Sequence, residues 1–158
     1  MGVDFVILEK GAKAGGTWFW NRYPGAGCDV DSHLYSFSWL LNPNWSLSFS
    51  LQNEIEDYLI SAWRFAKLER HTQFNTTVTK AKWTENKWQI DYMRENERTT
   101  KTFDFVISCV GALHKPMIPD FPGKETFSGQ SWHTAEWRED IKLEGRKLTD
   151  LHITCKIR

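Results

Sequence analysis

The sequence predicts a partial α/β domain, truncated at both ends, in which an antiparallel β-meander is inserted into a mostly parallel sheet. Residues 3–8 and 103–110 are nearly unbroken apolar runs (VDFVIL and FDFVISCV), which is typical of strands buried on both faces of a parallel sheet. Between them, residues 72–83 and 87–93 alternate around a short polar turn, a pattern that predicts a hairpin. A charged turn at residues 94–98 then leads to a further short strand.

The first apolar run ends at Glu9. An acidic residue in this position is typical of the second strand of a doubly wound, Rossmann-like dinucleotide-binding domain, where the carboxylate accepts hydrogen bonds from a ribose. In such a domain the first strand and its GxGxxG turn precede the acid by about 20 residues. The sequence therefore predicts that Met1 is a truncated start, downstream of that turn.

Residues 10–50 show neither a helical nor an alternating period and are dense in Gly, Pro, Asn, Asp and Ser. They predict a long ordered loop, and such loops are usually functional. Gly15 and Gly16 would let the backbone approach a ligand closely. The interleaved aromatic and polar residues suit a flat, partly apolar cofactor.

A helix is predicted over residues 52–68, where apolar side chains recur at helical spacing from Ile55 to Ala66. Its first turns carry acidic residues that would complement the helix dipole; they are Glu54, Glu56 and Asp57. Tryptophans outside the motifs described below are predicted to lie in the core: Trp63, Trp83 and Trp88.

The composition bounds the class of protein. A chain of 158 residues is long enough for one domain or a piece of a larger protein. Lys plus Arg and Asp plus Glu are balanced at 20 each, so no charge bias indicates nucleic acid or anionic lipid as a partner.

Because it has neither a membrane-spanning apolar run nor signal-peptide features, the sequence predicts a soluble, intracellular, cytoplasmic chain. Its cysteines lack CxxC spacing and are predicted to be reduced thiols rather than disulfides or metal ligands: Cys28, Cys109 and Cys155.

Two multi-residue motifs carry a resemblance to a known family. Residues 15–39, GGTWFWNRYPGAGCDVDSHLYSFSW, resemble the segment GGTW-x-x-NRYPG-x-x-x-D-x-x-S-x-x-Y-x-x-S of Baeyer-Villiger monooxygenases. Residues 127–137 match the family fingerprint F-x-G-x-x-x-H-x-x-x-W, although the Pro or Asp that normally closes it is Arg138 here. Residues 103–123 also resemble the strand and linker that precede the fingerprint. The similarity covers roughly residues 2–147.

The resemblance implies an oxidoreductase that uses FAD and NADPH to insert one oxygen atom from O2 next to the carbonyl of a small-molecule ketone, which gives an ester or lactone. It implies that Glu9 binds the FAD ribose. The residues that it implies line the flavin and its diphosphate are Gly16, Thr17, Trp18, Phe19 and Trp20. Residues placed beside the isoalloxazine ring are Asp29, Val30 and Tyr35. The backbone of Val78 would meet the adenine, and Gly111 would pass near the diphosphate.

The NADP side and the catalytic groups follow from the same resemblance. Gly27, Cys28 and Asp29 would face the nicotinamide. Asp29 also resembles the carboxylate neighbour of a catalytic arginine that the family carries downstream of the fingerprint. His133 and Trp137 belong to a linker that couples NADP binding to domain movement.

Each of these assignments has a structural alternative. Glu9 can be an ordinary solvated strand end, and Asp29 can cap a turn. Cys28 can be a small buried hydrophobe. His133 can be a structural histidine, and a coupling role is favoured over proton transfer.

The predicted domain boundaries are 1–113 for a partial FAD-binding domain, 114–147 for the linker with the start of an NADP-binding domain, and 148–158 for a divergent tail. After Gly145 the tail has no glycine and no helix opening, where a second GxGxxG would be expected. Two other functional interpretations stay open. One is a non-catalytic remnant that binds no flavin, and the other is a flavin monooxygenase that oxidises nitrogen or sulfur.

Overall fold

The computed structural model describes residues 2–111 and 115–149. Within these ranges the helices and strands are, in order, β1 (Ile7–Leu8), α1 (Thr17–Trp20), α2 (Gln52–Phe65), β2 (Thr72–Gln73), β3 (Thr76–Thr84), β4 (Lys87–Arg94) and β5 (Glu97–Phe103). Short 3-10 turns occur at Ser32–Leu34, Leu68–His71, Lys124–Thr126 and Thr134–Glu136. Most of the predicted divergent tail lies outside the described residues.

A two-stranded parallel sheet joins the start of the chain to the segment after α2. Ile7 lies opposite Thr72 and Leu8 opposite Gln73. The ladder continues as Glu9 N–H donates to Gln73 O at 3.0 Å, and Thr76 N–H donates to Glu9 O at 2.9 Å. The end of β1 is thereby fixed against the beginning of the meander. This is the mixed α/β arrangement that the sequence predicts.

The extent and burial predicted for the two apolar runs are wrong for this structure. Over residues 3–8 only Ile7–Leu8 forms a strand, and Val3 is 81% exposed. The second run does not continue as a strand beyond β5, and Phe105 is 88% exposed. The physical reason is that apolar composition favours burial, but a strand extends only as far as a neighbouring backbone accepts and donates its hydrogen bonds.

Helix α2 confirms the amphipathic pattern but ends at Phe65, three residues before the predicted Leu68. Lys67 adopts a left-handed φ of 55°, which stops the helix. The buried face of α2 includes Ile55, which is fully buried, and Tyr58. The Tyr58 hydroxyl donates to Leu40 O at 2.8 Å and accepts from Phe37 N–H at 2.7 Å, so the helix holds the preceding loop.

The antiparallel meander β3-β4-β5 confirms the predicted hairpin and the further strand. The first turn has positive φ at Glu85 (50°) and Asn86 (59°), the signature of the type I′ turn that matches the twist of paired strands. Glu95 and Asn96 repeat this geometry in the second turn.

The core assignment of Trp83 is wrong, because this side chain is 52% exposed. Its ring packs edge-on against its cross-strand neighbour Trp88, with centroids 5.6 Å apart. Trp63 is half-buried and donates to Thr72 Oγ1 at 2.9 Å. Among the described residues, no helix has both the length and the apolar character required to cross a membrane.

Asp91 is the buried acid of the meander, with 5% exposure. Thr100 Oγ1 donates to its Oδ1 at 2.8 Å, and Arg98 Nη2 donates to its Oδ2 at 2.8 Å. The hydroxyl of Thr100 and the guanidinium of Arg98 both favour the ionised carboxylate, so they lower the pKa of Asp91.

This lowered pKa predicts an acid-sensitive meander. Because the folded-state pKa lies below the unfolded one, the ionised form stabilises the fold above the unfolded pKa, and that contribution is lost as the pH falls through the folded pKa. We expect the free energy of unfolding to fall as the pH drops below about 5, and Asp91→Asn to flatten this slope. Urea titrations followed by tryptophan fluorescence measure both. Asp140→Asn is the control, since its exposed ion pair with Arg138 is screened by solvent. Identical slopes in wild type and Asp91→Asn would contradict the assignment.

Candidate functional site

The loop that carries the first motif begins with two glycines in glycine-specific backbone conformations. Gly15 has a φ of 141° and Gly16 a φ of 53°. A Cβ atom on Gly15 would lie 3.1 Å from Phe19 Cβ and 3.2 Å from Glu56 Cγ, whereas one on Gly16 would meet no atom within 4 Å. Gly15 is therefore required for packing, while Gly16 leaves its exposed backbone open to a ligand.

Helix α1, which follows these glycines, has only four residues and needs help from side chains to hold its shape. Thr17 O accepts from the backbone N–H of Asn21 at 3.0 Å, and three side chains donate further hydrogen bonds to the carbonyls of Thr17, Trp18 and Phe19, which the end of a helix leaves short of partners. Asn21 Nδ2 donates to Thr17 O at 2.9 Å, and Arg22 Nε donates to Phe19 O at 2.7 Å. Gln52 Nε2, from the first residue of α2, donates to Trp18 O. The Asn-Arg pair of the NRYPG motif is therefore a cap for α1.

The aromatic side chains of α1 are held by contacts with another aromatic ring and with cationic side chains. Trp18 Nε1 donates to the Tyr35 hydroxyl at 2.9 Å, and the two rings meet edge-on with centroids 5.9 Å apart. The guanidinium of Arg22 lies 4.6 Å from the Phe19 ring centroid, and the ammonium of Lys10 lies 4.8 Å from that of Trp20. The structure thus brings together the residues predicted to contact the flavin from Gly16 to Trp20, and Tyr35 with them.

The Tyr-Pro-Gly part of the motif forms a turn that redirects the chain. Ala26 N–H donates to Tyr23 O at 3.0 Å, with Gly25 at a φ of 79°, as in a type II turn. Gly27 then pairs with Leu51 in an antiparallel bridge. The predicted NADP residues Gly27 and Cys28 consequently lie beside the start of α2.

A buried pair of serines fixes the last part of the motif against the segment that precedes α2. Ser32 is 1% exposed, and its Oγ lies 2.9 Å from Ser50 Oγ and 3.0 Å from Ser48 O. This contact accounts for the serine of the D-x-x-S-x-x-Y pattern. Asp29 and Val30, which precede Ser32 in the chain, are exposed. The residue that caps the following turn is Asp31, whose Oδ1 accepts from His33 N–H at 3.1 Å, and not Asp29.

Glu9 lies close to the same loop. Its Oε1 accepts a 2.6 Å hydrogen bond from Gly11 N–H. A Cβ atom on Gly11 would lie 2.9 Å from Glu9 Oε1 and 3.1 Å from the Phe19 ring, so the carboxylate and the ring flank the same glycine. Since a carboxylate offers two oxygens and about four acceptor sites, the bond to Gly11 leaves capacity for ribose hydroxyls.

The other predicted site residues lie further along the chain. Val78 is 45% exposed at an irregularity of β3, two residues after the Thr76 that bonds Glu9. Gly111 has a φ of 70° and ends the first described range. Cys28 and Cys109 are free thiols, and Cys155 lies outside the described residues.

The fingerprint segment has its own local order. His133 Nδ1 accepts from Ala135 N–H at 3.0 Å, so it caps a 3-10 turn in the way a structural histidine does. Trp137 packs edge-on against Trp132 at 5.7 Å. Arg138 donates twice to Asp140. The phenylalanine and glycine of the motif also contact, because a Cβ atom on Gly129 would clash with the Phe127 ring.

Residues outside the motifs hold the loop as well, although no motif in the sequence pointed to them. Glu56 is buried rather than exposed at the helix dipole, and it ion-pairs with Lys13 at 2.9 Å. It lies one helical turn after Gln52, and Gln52 Nε2 donates to its Oε2 at 2.9 Å. The available sequence signal was this spacing of four, adjacent to the apolar stripe that begins at Ile55.

Comparison with known proteins agrees with the family resemblance. The family model described as flavin-binding monooxygenase-like matches residues 32–154. A Baeyer-Villiger monooxygenase of Streptomyces coelicolor is 44% identical over 147 residues, which cover 92% of this chain and 28% of the relative. A Baeyer-Villiger monooxygenase of Pseudomonas aeruginosa is 40% identical, with 92% and 27% covered.

Solved structures agree with the fold. An ε-caprolactone-bound cyclohexanone monooxygenase superposes with a TM-score of 0.79 at 37% identity, covering 89% of this chain and 28% of that one. The complex of OTEMO with FAD and NADP gives a TM-score of 0.78 at 34% identity, with 91% and 28% covered. The chain spans little more than a quarter of the length of these relatives. The resemblance to Baeyer-Villiger monooxygenases that the motifs predicted is confirmed, and the chain belongs to the flavin-binding monooxygenase-like family.

Proposed function

We propose that this chain forms the flavin-contacting part of an FAD- and NADPH-dependent Baeyer-Villiger monooxygenase, which inserts one oxygen atom from O2 next to a ketone carbonyl to give an ester or lactone. The observation that carries the proposal is the capped loop from Gly15 to Trp20, with Tyr35 bonded to it and Glu9 beside it. Two relatives that are 44% and 40% identical are Baeyer-Villiger monooxygenases, and a solved structural neighbour is a complex with FAD and NADP.

The residues present fit a flavin nucleotide. Gly16 presents backbone with open space where a side chain would stand, and Trp20 and Val30 are 38% and 42% exposed apolar groups nearby in the chain. A flat, partly apolar ring system is the kind of ligand that such a surface accepts. The Glu9 carboxylate is the acceptor that a ribose requires.

Each group has a positional task in this proposal. Bound FAD and NADPH would supply the electron transfer and oxygen chemistry, while the protein supplies orientation and electrostatics. Trp18 and Tyr35 form a fixed wall for the flavin, and Gly16 allows close backbone approach. Asp29, exposed beside Cys28, would contribute negative charge near the ring. His133 would act through the fingerprint segment, whose Glu139 lies 3.8 Å from Arg22 of the flavin loop.

The domain organisation is part of the proposal. Residues 1–113 would contribute the FAD-binding portion, and residues 114–147 the linker with the fingerprint. Val78 would meet the adenine and Gly111 the diphosphate, while Gly27, Cys28 and Asp29 would face the nicotinamide.

The test is flavin retention by the purified chain. After incubation with FAD and removal of free cofactor by gel filtration, we expect a visible flavin spectrum with shifted bands. Trp18→Leu should weaken retention because it removes the ring and the hydrogen bond to Tyr35, whereas Trp83→Leu, on the exposed face of the meander, is the matched control. A colourless wild-type protein would favour the interpretation of a non-catalytic remnant.

The reaction class is tested once flavin is retained. In a protein that joins this segment to an NADP-binding domain and the downstream arginine, we expect NADPH oxidation under O2 to accelerate on addition of a cyclic ketone such as cyclohexanone, with the lactone detected by mass spectrometry. Acceleration by a tertiary amine or a thioether, with the N- or S-oxide as product and no lactone, would instead support the nitrogen- or sulfur-oxidising alternative.

The two glycines make a matched pair for a further prediction. Gly15→Ala should lower the free energy of unfolding by about 1–3 kcal/mol, because its Cβ atom meets Phe19 and Glu56 in addition to the unfavourable φ. Gly16→Ala should cost less, about 1 kcal/mol, since only backbone strain opposes it. Both should weaken FAD binding, Gly16→Ala by obstructing the ligand.

Urea unfolding and FAD titration measure the two effects separately. Equal losses of stability in the two variants would contradict the packing role of Gly15. Unchanged FAD affinity in Gly16→Ala would contradict the open approach at that residue.

A further inference from the structure

A buried carboxylate lies beneath the flavin loop and belongs to neither motif. Glu56 is 7% exposed, and its Cγ lies 3.2 Å from the position where a Cβ on Gly15 would stand. Its Oε1 is 2.9 Å from Lys13 Nζ, and its Oε2 accepts from Gln52 Nε2 at 2.9 Å. Oε2 is therefore hydrogen-bonded, whereas the buried Oε1 has the charge of Lys13 beside it and no hydrogen bond among the described residues.

Gln52 connects this carboxylate to helix α1. The same Nε2 atom that donates to Glu56 also donates to Trp18 O. A side-chain amide nitrogen has two N–H donors, and these two acceptors use both of them. The orientation of the amide is consequently fixed, and with it the position of the Trp18 carbonyl.

Lys13 connects the carboxylate to the beginning of the loop. Its ammonium also lies 5.9 Å from the Phe19 ring centroid. The side chain of Lys13 is half-exposed, whereas that of Glu56 is 10% exposed. The partners are therefore unequal, because the lysine can be hydrated without Glu56, but the buried carboxylate without Lys13 loses its counter-charge.

We propose that Lys13, Gln52 and Glu56 form a positioning unit that holds the Gly15–Trp20 loop in its flavin-binding geometry. The proposal rests on the proposed function for the identity of the ligand, and on the geometry alone for the order of the loop. None of the three is placed in contact with reacting atoms; they act through Gly15 and the Trp18 carbonyl.

The inequality of the partners gives a distinctive mutational pattern. Lys13→Met strands a buried carboxylate, so we expect the amides of residues 18–21 to exchange hydrogen about tenfold faster or more, and FAD affinity to fall by a similar factor. Glu56→Gln keeps an acceptor for Gln52 and should change both by less than about threefold. The double variant should behave like Glu56→Gln, so the second substitution rescues the first.

The control is a cycle on Lys87 and Asp104, an exposed ion pair of 2.7 Å that joins β4 to the residue after β5. Lys87→Met, Asp104→Asn and their combination should leave exchange at residues 18–21 and FAD affinity unchanged. Exchange in β4 should stay at the wild-type rate in the Lys13 and Glu56 variants, which separates a local effect from unfolding. If Lys13→Met fails to fold, Lys13→Gln, which retains a donor, replaces it in the same cycle.

The outcomes distinguish this inference from the proposed function. Rescue of loop order by the double variant supports the positioning unit even if the wild-type chain retains no FAD, a result that would count against the proposed function instead. Additive effects of Lys13→Met and Glu56→Gln, or effects no larger than those of the Lys87 and Asp104 variants, would overturn the positioning unit.

Discussion

The structure of the candidate site depends on one constraint, which is that a helix of four residues cannot support itself. The carbonyls of α1 accept hydrogen bonds from three side chains, and only two of these, from Asn21 and Arg22, come from the adjacent chain. The third comes from Gln52, more than thirty residues later. The conformation of the loop is therefore a tertiary property, set by its contact with α2 and not by the helix propensity of its own residues.

The same dependence makes the start of α2 the place where several parts of the loop are hydrogen-bonded to one short segment. Gln52 N–H donates to Ala26 O at 2.9 Å, while its side chain reaches α1. The preceding residues Ser50 and Leu51 pair with Cys28 and Gly27. One short stretch of chain thus aligns the residues assigned to the flavin with those assigned to the nicotinamide, and the buried Ile55 anchors that stretch to the core.

Local patterns in the sequence predicted the elements in which the donors and acceptors of the hydrogen bonds belong to the same short segment. The helix from Gln52 and the two turns of the meander are of this kind. Residues 3–8 and 103–110 were predicted less well, because the length of a strand depends on a neighbouring backbone that the apolar pattern cannot specify. Trp83 was placed in the core on size alone, yet one face of the three-stranded meander leaves it exposed beside Trp88.

The role of Glu56 was hidden for a related reason. An acidic residue in the first turns of a helix is most simply explained by the dipole, and only the three-dimensional position of Lys13 shows that the charge is paired and buried. The general lesson is that chemically explicit motifs identify the surface offered to a ligand, whereas the polar groups that hold that surface are scattered and appear ordinary in sequence.

Arg22 shows what this arrangement means for the tolerance of the chain to substitution. One guanidinium donates from Nε to Phe19 O, lies over the Phe19 ring at 4.6 Å from its centroid, and extends Nη1 towards Glu139. These tasks require a planar group with donors in several directions, so a lysine would conserve the charge and lose the geometry. Preserving the net charge of this position is therefore not enough to preserve its contacts, and the arginine of the NRYPG motif is constrained by its shape as well as by its charge.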